Sequence, residues 1–578
     1  MLFKNLDLGP DDAKGDVRLS EYFIRTPEYE RVRSGEAAFV IGRKGTGKTA
    51  ICQRIHEEAQ SSPTIFSALL SFKNAPTNAL FHSADETYNS PNQYISIWKF
   101  LIAYEAAKLM LQDESIDNAT MAELRTFLDD NFGNNDIGAL DAVAMLRDRS
   151  WRVSLKIPLK FLDVPGGELA HSSSDAFDQQ IHFGRAATEL MDRIAAVHSE
   201  NTFFVIFDEL DEDYNIERRY FDLIISLFKA TYQIRREVPS MLALRPVVVL
   251  REDIFLQLDD HDLNKIDDML VSLRWHTASA TDEFSLRGLI NQRFRANLRD
   301  RDAQETASDL WPLFVDETAW GGPYTSAWEF CTLRTMLRPR DIIKALKFCQ
   351  LYEEGERLTP TAIRKSGRKY SEWLSREIGN EMFRVVPDYR QAIGLLTRLG
   401  THSFAISTWR SAFAQNELLA RKYEPDVVLE RLYEFGVVGM AIAKKRQHWV
   451  FKYTHPQILF NSSGPFVLHP GLYDFLALPH EQATSKEELA AQAILKEKHR
   501  QEVAQHLQRK QQKEQQLQQK KQKQPQKKKK KKKKKKNKQK RGGESPPPVA
   551  PKNGTTESTK QSGPDRSEGK SNPASKTP

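Results

Sequence analysis

The sequence predicts an α/β fold with a central parallel sheet, on the basis of three observations. Near residue 42 a glycine-rich turn joins an apolar run to a segment with helical spacing. Two further apolar runs, residues 203–207 and 246–250, each end in charged side chains. Apolar runs of this kind are typical of strands buried on both faces, and strands that alternate with helices form a parallel sheet. Such a fold places its site at the carboxyl ends of the strands.

The glycine-rich turn has the sequence G-R-K-G-T-G-K-T over residues 42–49. It follows the apolar residues 37–41 and leads into the helical segment 50–55, so the spacing G-x4-G-K-[ST] has both flanks that a phosphate-binding P-loop needs. Glycines let backbone N–H groups surround phosphate oxygens, and the next helix points its positive end at them. The predicted nucleotide-binding residues are Gly42, Arg43, Lys44, Gly45, Thr46, Gly47, Lys48, Thr49 and Ala50.

Four residues have predicted roles in catalysis or metal binding. Lys48 is expected to reach the β- and γ-phosphates, and the Thr49 hydroxyl to bind Mg²⁺. Asp208 follows a buried apolar run, which is the position of a Walker-B aspartate that orders the metal shell. Glu209 is placed to polarise the attacking water as general base. The alternative is an ordinary acidic loop, because residues 211–213 are acidic too.

The nucleotide is predicted to be ATP. Residues 264–267, N-K-I-D, match the guanine-reading tetrapeptide N-K-x-D, so GTP has to be considered. That tetrapeptide should end a buried strand, but residues 259–263 are too polar to form one. Residues 208–211 also lack the glycine of the GTPase pattern D-x-x-G. We therefore interpret the match as chance and predict ATP with Mg²⁺ as the cofactors.

Cysteine content, amino terminus and hydropathy together predict a cytoplasmic protein. The three cysteines are far apart and form no C-x-x-C pair, which argues against a disulfide framework or a zinc site. Residues 1–16 are acidic and do not resemble a secretory leader. No apolar run approaches the roughly 20 residues that a membrane span requires.

The net charge of +8 comes from the carboxyl-terminal tail. From residue 486 onward the chain has 28 Lys+Arg and 9 Asp+Glu, so the rest has 57 basic and 68 acidic residues, a charge of −11. The argument that a basic protein binds nucleic acid therefore fails for the folded part. Residues 527–536 are ten consecutive lysines, which would attract any polyanion without reading its sequence, or would serve only as a solubilising extension.

The domain organisation follows from changes in pattern along the chain. Residues 1–282 are predicted to form the P-loop α/β core, with a helical insertion at about 113–175. Residues 283–384 have helical spacing and are predicted to form a helical lid. In residues 385–480, helices followed by a hairpin indicate a winged helix. Residues 481–578 are Lys/Gln-rich and then Pro/Ser-rich, and they are predicted to be disordered.

The predicted winged helix offers a possible DNA contact. Its basic turn contains Lys444, Lys445 and Arg446, which would contact DNA phosphates in a salt-dependent way. Basic turns are also common solvated loops, and such wings equally serve as protein-docking surfaces. Both alternatives stay open from the sequence.

Four segments, in order, resemble a family of bacterial P-loop ATPases near the STAND and AAA+ branches. They are G-R-K-G-T-G-K-T, F-V-I-F-D-E-L-D-E, V-V-V-L-R-E-D-I-F and L-R-P-R-D-I-I. The layout is similar to origin-recognition-type ATPases with a carboxyl-terminal winged helix, and the resemblance spans about residues 5–475. It implies an ATPase, with phage defence as one setting.

The same resemblance implies roles for two arginines. Arg251 occupies the sensor-1 position, where an arginine points to the STAND side, and Arg340 matches the sensor-2 arginine of the lid. Arg338 competes with Arg340 for that role. A guanidinium group can clamp phosphate oxygens in two directions, but either residue could instead form an ordinary ion pair. Candidates for an arginine finger acting between subunits are Arg218, Arg219 and Arg274.

Three functions are compatible with these observations. The first is a slowly hydrolysing ATP switch that regulates a protein or nucleic-acid partner, and a nucleotide-dependent homo-oligomer is compatible with it. The second is an ATP-licensed DNA-binding initiator or regulator that uses the winged helix. The third is a nucleotide-gated scaffold without significant turnover, against which Glu209 argues.

Overall fold

The structure is a computed structural model of the 578-residue chain. It describes residues 2–72, 80, 92–132, 138–148, 175–211, 218–239, 242–275, 283–298, 308–317, 326–442 and 449–478. The chain divides into two compact units, residues 1–483 and 484–578, and the second lies outside the described residues.

The fold is mixed α/β with a parallel five-stranded sheet, as the sequence predicts. Its strands are β1 (Phe39–Gly42), β2 (Ile65–Ser71), β3 (Thr202–Asp208), β4 (Ala243–Arg251) and β5 (Leu270–Leu273). They lie in the order β2-β3-β4-β1-β5, and every recorded pairing is parallel.

Alternate side chains of β3 pack into different cores, which explains the continuous apolar run. Phe203, Val205 and Phe207 belong to the larger cluster on one face of the sheet. Phe204 and Ile206 belong to a second cluster with the P-loop helix. Because side chains alternate along a strand, only a strand covered on both faces needs apolar residues at every position.

Eighteen α-helices lie within the described ranges. Those of the amino-terminal half are α1 (Leu19–Tyr22), α2 (Pro27–Ser34), α3 (Lys48–Ser61), α4 (Ile95–Met110), α5 (Asn118–Phe132), α6 (Ala139–Asp148), α7 (Asp175–Ala195), α8 (Arg218–Glu237) and α9 (Glu252–Phe255). The others are α10 (Leu286–Arg295), α11 (Trp311–Phe314), α12 (Ala327–Leu333), α13 (Pro339–Gln350), α14 (Pro360–Met382), α15 (Tyr389–Leu399), α16 (Ile406–Ala414), α17 (Glu417–Ala420) and α18 (Pro425–Glu434).

The strand register brings the predicted site residues to one edge of the sheet. Gly42 at the end of β1 pairs with Arg251 at the end of β4. Ser71 at the end of β2 pairs with Asp208 at the end of β3. Since all these strands are parallel, their carboxyl ends meet at the same edge.

The extreme amino terminus packs among the helices that follow the sheet. Phe3, Leu6 and Leu8 are buried in a cluster with residues of α10–α13. Gln350 Nε2 donates to the carbonyl oxygens of Phe3 and Leu6, at 3.1 and 2.8 Å. Residues 10–16 are thereby brought over the carboxyl edge of the sheet.

Residues 385–478 combine helices α15–α18 with a second, antiparallel sheet. Its strands are β6 (Ser403–Ala405), β7 (Val438–Ala441), β8 (Trp449–Val450) and β9 (Pro465–Leu468), in the order β6-β9-β7-β8. The winged-helix interpretation of this region stays a prediction. Lys444, Lys445 and Arg446 lie outside the described residues.

The predicted insertion is described only in part. Helices α5 and α6 lie within its predicted bounds of about 113–175. Residues 133–137 and 149–174 of this segment lie outside the described residues. Among the helices of the described ranges, none combines the length and hydropathy of a bilayer-crossing segment.

Candidate functional site

The P-loop wraps around the amino terminus of α3. Gly45 and Gly47 have φ angles of +80° and +100°, a left-handed region that side chains with a Cβ avoid. A Cβ on Gly45 would also lie 3.0 Å from Cβ of Arg340. The loop therefore needs glycine at residue 45 for its backbone and for close contact with α13.

Lys48 is directed back over its own loop. Its Nζ donates to the carbonyl oxygens of Gly42 and Arg43, at 2.9 and 3.1 Å. Burial lowers the pKa of Lys48, while Asp211 acts against this shift. A cation in this environment, among backbone N–H groups, favours an anionic ligand such as phosphate.

Thr49 and Asp208 are brought together by the start of α3 and the end of β3. The Thr49 side chain lies near the Asp208 carboxylate, and the Glu209 N–H donates to Asp208 Oδ1 at 2.9 Å. Burial raises the pKa of Asp208, since the carboxylate has lost most of its water. A hydroxyl and a carboxylate are ligands that suit Mg²⁺, which binds protein through one or two such groups and keeps several waters. The pair fits the predicted metal.

Glu209 adopts a left-handed backbone conformation immediately after β3, with φ of +58°. Such strain in a residue other than glycine persists where the surrounding structure enforces it, often at functional sites. The carboxylate accepts from Lys14 Nζ at 2.9 Å and from the Ser71 hydroxyl. Glu209 is therefore at the site edge, but its charge is engaged by the amino-terminal segment.

Arg251 lies beside the P-loop, with its guanidinium group held by carboxylates. Nε and Nη2 donate to the two carboxylate oxygens of Asp253 at 3.0 and 2.7 Å, and Nη1 donates to Asp211 at 3.3 Å. Burial alone would lower the pKa of Arg251, but the carboxylates raise it above its usual value. A sensor role requires at least one of these bonds to be exchanged for phosphate, and it stays a prediction.

Arg340 and Arg338 begin the same helix but differ in their surroundings. The backbone N–H of Arg340 donates to the Gly45 carbonyl at 3.3 Å, and its side chain lines the cavity beside the P-loop. Arg338 is 1% exposed and donates to Asp341 at 3.0 Å and to Glu381 at 2.7 Å. This geometry favours Arg340 over Arg338 for phosphate contact.

A cavity of about 350 Å³ adjoins the P-loop. Residues 45–51 of the loop and α3 line it, and residues 10–13 and 22–24 of the amino-terminal segment line it as well. Trp275 also lines the cavity, and its indole N–H donates to the Thr46 carbonyl at 2.8 Å. The size of the cavity is within the range of small-molecule sites. The sequence analysis did not predict that the amino-terminal segment lines this cavity. The apolar residues Phe3, Leu6 and Leu8, which are buried, were the pattern that could have indicated that this segment packs on the fold.

The second residue of the P-loop contacts the carboxyl-terminal sheet region. Cζ of Arg43 lies 5.4 Å from the ring centroid of Tyr453, and its Nη2 is 3.5 Å from Met336 Sδ. Within the described part of the chain, its Nη1 is buried and has no hydrogen-bond partner. The Tyr453 hydroxyl is 2.9 Å from Nε2 of His469, whose Nδ1 accepts the Gly471 N–H at 3.0 Å. A chain of contacts thus joins the P-loop to residues near β8 and β9.

His469 should make folding stability depend on pH. Burial lowers its pKa to about 3, and the nearby arginines act in the same direction. An unfolded histidine has a pKa of about 6.5. The unfolded chain therefore binds a proton that the folded chain does not, and stability is lost as the pH falls from about 6.5 toward about 3. We expect a loss of about 2 kcal/mol between about pH 6.5 and 5.

Urea unfolding at several pH values tests this expectation. His469→Gln keeps a hydrogen-bonding side chain without a titratable ring, so it should flatten the decrease between these pH values. An equally steep decrease in the variant would assign the effect to other groups.

The three candidate arginine fingers lie in two regions of the chain, and one of them is paired with a carboxylate. Arg274 Nη2 donates to Glu252 at 2.6 Å, whereas Arg218 and Arg219 begin α8. Whether any of them acts between subunits stays a prediction.

Comparison with known proteins gives one family match and one curated relative. Residues 285–379 match the FunZ-associated C-terminal helical domain, which covers α10–α13 and most of α14. Over 494 residues the chain is 19% identical to the 80.3 kDa protein of transposon gamma-delta from Escherichia coli (strain K12). That alignment covers 81% of this chain and 66% of the relative, slightly less than two thirds of its length.

Among solved structures, the chain is similar to the ORC2 protein of Aeropyrum pernix in its ADPNP–ADP complexes. The identity is 15%, the TM-score is 0.35, and the match covers 80% of this chain and 95% of the other.

Proposed function

We propose that this chain is an Mg²⁺-dependent ATPase that acts as a nucleotide-controlled switch. The observation that carries the proposal is the P-loop itself: Lys48 bridges two loop carbonyls at the start of α3, beside the neighbouring side chains of Thr49 and Asp208. ATP remains the proposed nucleotide, because residues 264–267 lie in a 3-10 helix and not at the end of a strand.

The roles of the side chains follow from their positions. Lys48 and Arg340 would bind the phosphates, and Thr49 with Asp208 would hold Mg²⁺, which neutralises phosphate charge when bound. Glu209 would accept the proton of the attacking water. In this structure Glu209 is paired with Lys14, so turnover requires the amino-terminal segment to release it. This contact is consistent with slow hydrolysis.

The switch would be transmitted through the helices that contact the P-loop. Lys44 Nζ lies 3.3 Å from Glu377 of α14, and Arg43 contacts Tyr453. We propose that residues 283–384 act as the lid and that residues 385–480 report its state to a partner. STAND membership, a phage-defence setting, a cytoplasmic location and a homo-oligomer remain hypotheses of the sequence resemblance and composition.

Glu209→Gln tests the proposed reaction. The amide retains the shape and loses the basic oxygen, so ATP turnover should fall roughly 100- to 10,000-fold while ATP binding remains. Glu237→Gln is the matched control, because Glu237 ends α8 and pairs with Lys99 away from the P-loop.

Turnover is measured with and without duplex DNA. Unchanged turnover in Glu209→Gln would contradict the assignment of the base. Bound ATP without turnover in the parent chain would favour the scaffold, and stimulation by DNA would favour the initiator.

A further inference from the structure

The exposed surface of α14 and α15 carries a cluster of basic side chains. We define the basic face as Lys365, Arg368, Lys369, Arg376 and Arg390, all of which are exposed. The chain before residue 486 has a net charge of −11, so this cluster contrasts with the charge of the folded part as a whole. Its residues are different from Lys444, Lys445, Arg446 and the lysine tail, which the sequence analysis considered for DNA contact.

The spacing along α14 places basic side chains in a stripe, which the Glu372 carboxylate interrupts between Lys369 and Arg376. Residues four apart lie on the same side of a helix and about 6 Å apart along its axis. Lys365 and Lys369 have this relation, and Arg376 is two turns further on. From Lys365 to Arg376 the stripe is about 16 Å long. Each strand of duplex DNA carries one phosphate per about 3.4 Å of axis, so a stripe of this length can meet several phosphates.

A groove of about 600 Å³ continues the stripe toward α15. Arg368 and Arg376 line it from α14, and Arg390 lines it from α15. The carboxylates of Glu372 and Asp474 also line it, so the basic side chains outnumber the acidic ones. Tyr389 and Thr397 add hydroxyl groups that are able to donate to phosphate oxygens. Charged and hydroxyl donors of this kind account for most contacts of proteins with the DNA backbone.

The basic side chains are weakly engaged within the protein. In the described part of the chain, Lys365 and Arg376 have no carboxylate partner within ion-pair distance, whereas Arg368 has one. Arg368 Nε donates to Glu372 at 3.2 Å, and exposed pairs of this kind contribute little stability. The Arg390 guanidinium lies 5.9 Å from the ring centroid of Tyr389. These side chains can therefore form ion pairs with DNA phosphates while losing little free energy from their present contacts.

We propose that the basic face binds the sugar–phosphate backbone of duplex DNA without reading its sequence. Charge complementarity and the length of the stripe carry the proposal. The face does not depend on the proposed ATP turnover, and its binding can be tested in the absence of nucleotide.

The test replaces four of these side chains in the full chain. The face variant is Lys365→Ala, Arg368→Ala, Arg376→Ala and Arg390→Ala. The control variant removes four exposed basic side chains elsewhere, by Arg125→Ala, Arg185→Ala, Arg421→Ala and Lys422→Ala. Both lose the same charge and keep the lysine tail, so a difference between them reports position and not net charge.

Binding to a labelled duplex of about 30 base pairs is followed by anisotropy from about 50 to 300 mM salt. Each lost phosphate contact reduces the slope of log K against log salt by about 0.9. We expect the magnitude of this slope to be smaller by about 3 to 4 in the face variant than in the parent chain. At about 100 mM salt, the affinity of the face variant for the duplex should be at least about 10-fold lower. The control variant should bind like the parent.

Several outcomes would overturn the proposal. They are an unchanged slope in the face variant, an equal loss in both variants, and a loss of binding to phosphatidylserine vesicles without a loss of DNA binding. Thermal midpoints and ATP affinity of both variants exclude misfolding as the cause.

Discussion

Lys48→Ala is expected to reduce ATP affinity by about 100-fold or more. The change removes a positive charge that would make charge-assisted hydrogen bonds to phosphate, each worth about 1.5–3 kcal/mol. It also leaves the loop carbonyls of Gly42 and Arg43 without their donor. Titration with a fluorescent ATP analogue measures the effect, and the thermal midpoint shows whether the variant is folded.

Lys44→Ala is the matched control for Lys48→Ala. Lys44 belongs to the same loop, but its Nζ lies near Glu377 of α14. Loss of this side chain keeps the loop backbone, so affinity should change by less than about fivefold. If Lys48→Ala bound ATP as tightly as the parent, the loop would not be the phosphate site.

Arg338→Ala should lower the free energy of unfolding by about 3–5 kcal/mol. The guanidinium group is buried between Asp341 and Glu381, and its removal leaves both carboxylates buried without their cation. Burial by itself would raise the pKa of Glu381, but neighbouring guanidinium groups lower it to about 2. The carboxylate is thus ionised in the folded protein. Urea unfolding, followed by far-ultraviolet circular dichroism, measures the loss.

Arg340→Ala separates stability from ligand binding. Its Nε donates to the Asp11 carbonyl at 3.2 Å, and its other guanidinium nitrogens lie 3.7 Å from Glu377 and 3.9 Å from Asp12, so the loss of these contacts should cost about 1 kcal/mol. The same variant should weaken ATP binding, whereas Arg338→Ala should act mainly on unfolding. The reverse pattern would give the sensor role to Arg338.

Much of the α/β core was predictable because its determinants are local. The apolar run before Asp208 predicts a strand buried on both faces, and β3 has that environment. The spacing of residues 42–49 predicts a turn before a helix, and the loop lies at the start of α3. In both cases neighbouring residues alone decide the backbone.

The remaining features depend on partners distant in sequence. Nothing in L-R-P-R-D tells which arginine is buried, because the choice rests on Glu381, 43 positions from Arg338. The contact of Lys14 with Glu209 spans 195 positions. Such pairings are set by tertiary packing, which local patterns do not encode.

Helix α14 places two different surfaces on one rigid element. It runs without a break through 23 residues, about 34 Å, and carries Glu377 toward Lys44 next to the exposed Arg376. If ATP changes the position of this helix and DNA binds along it, the two ligands are thermodynamically linked. The factor by which ATP changes affinity for DNA must then equal the factor by which DNA changes affinity for ATP. DNA would then be both a ligand whose binding ATP regulates and an effector that changes ATP binding.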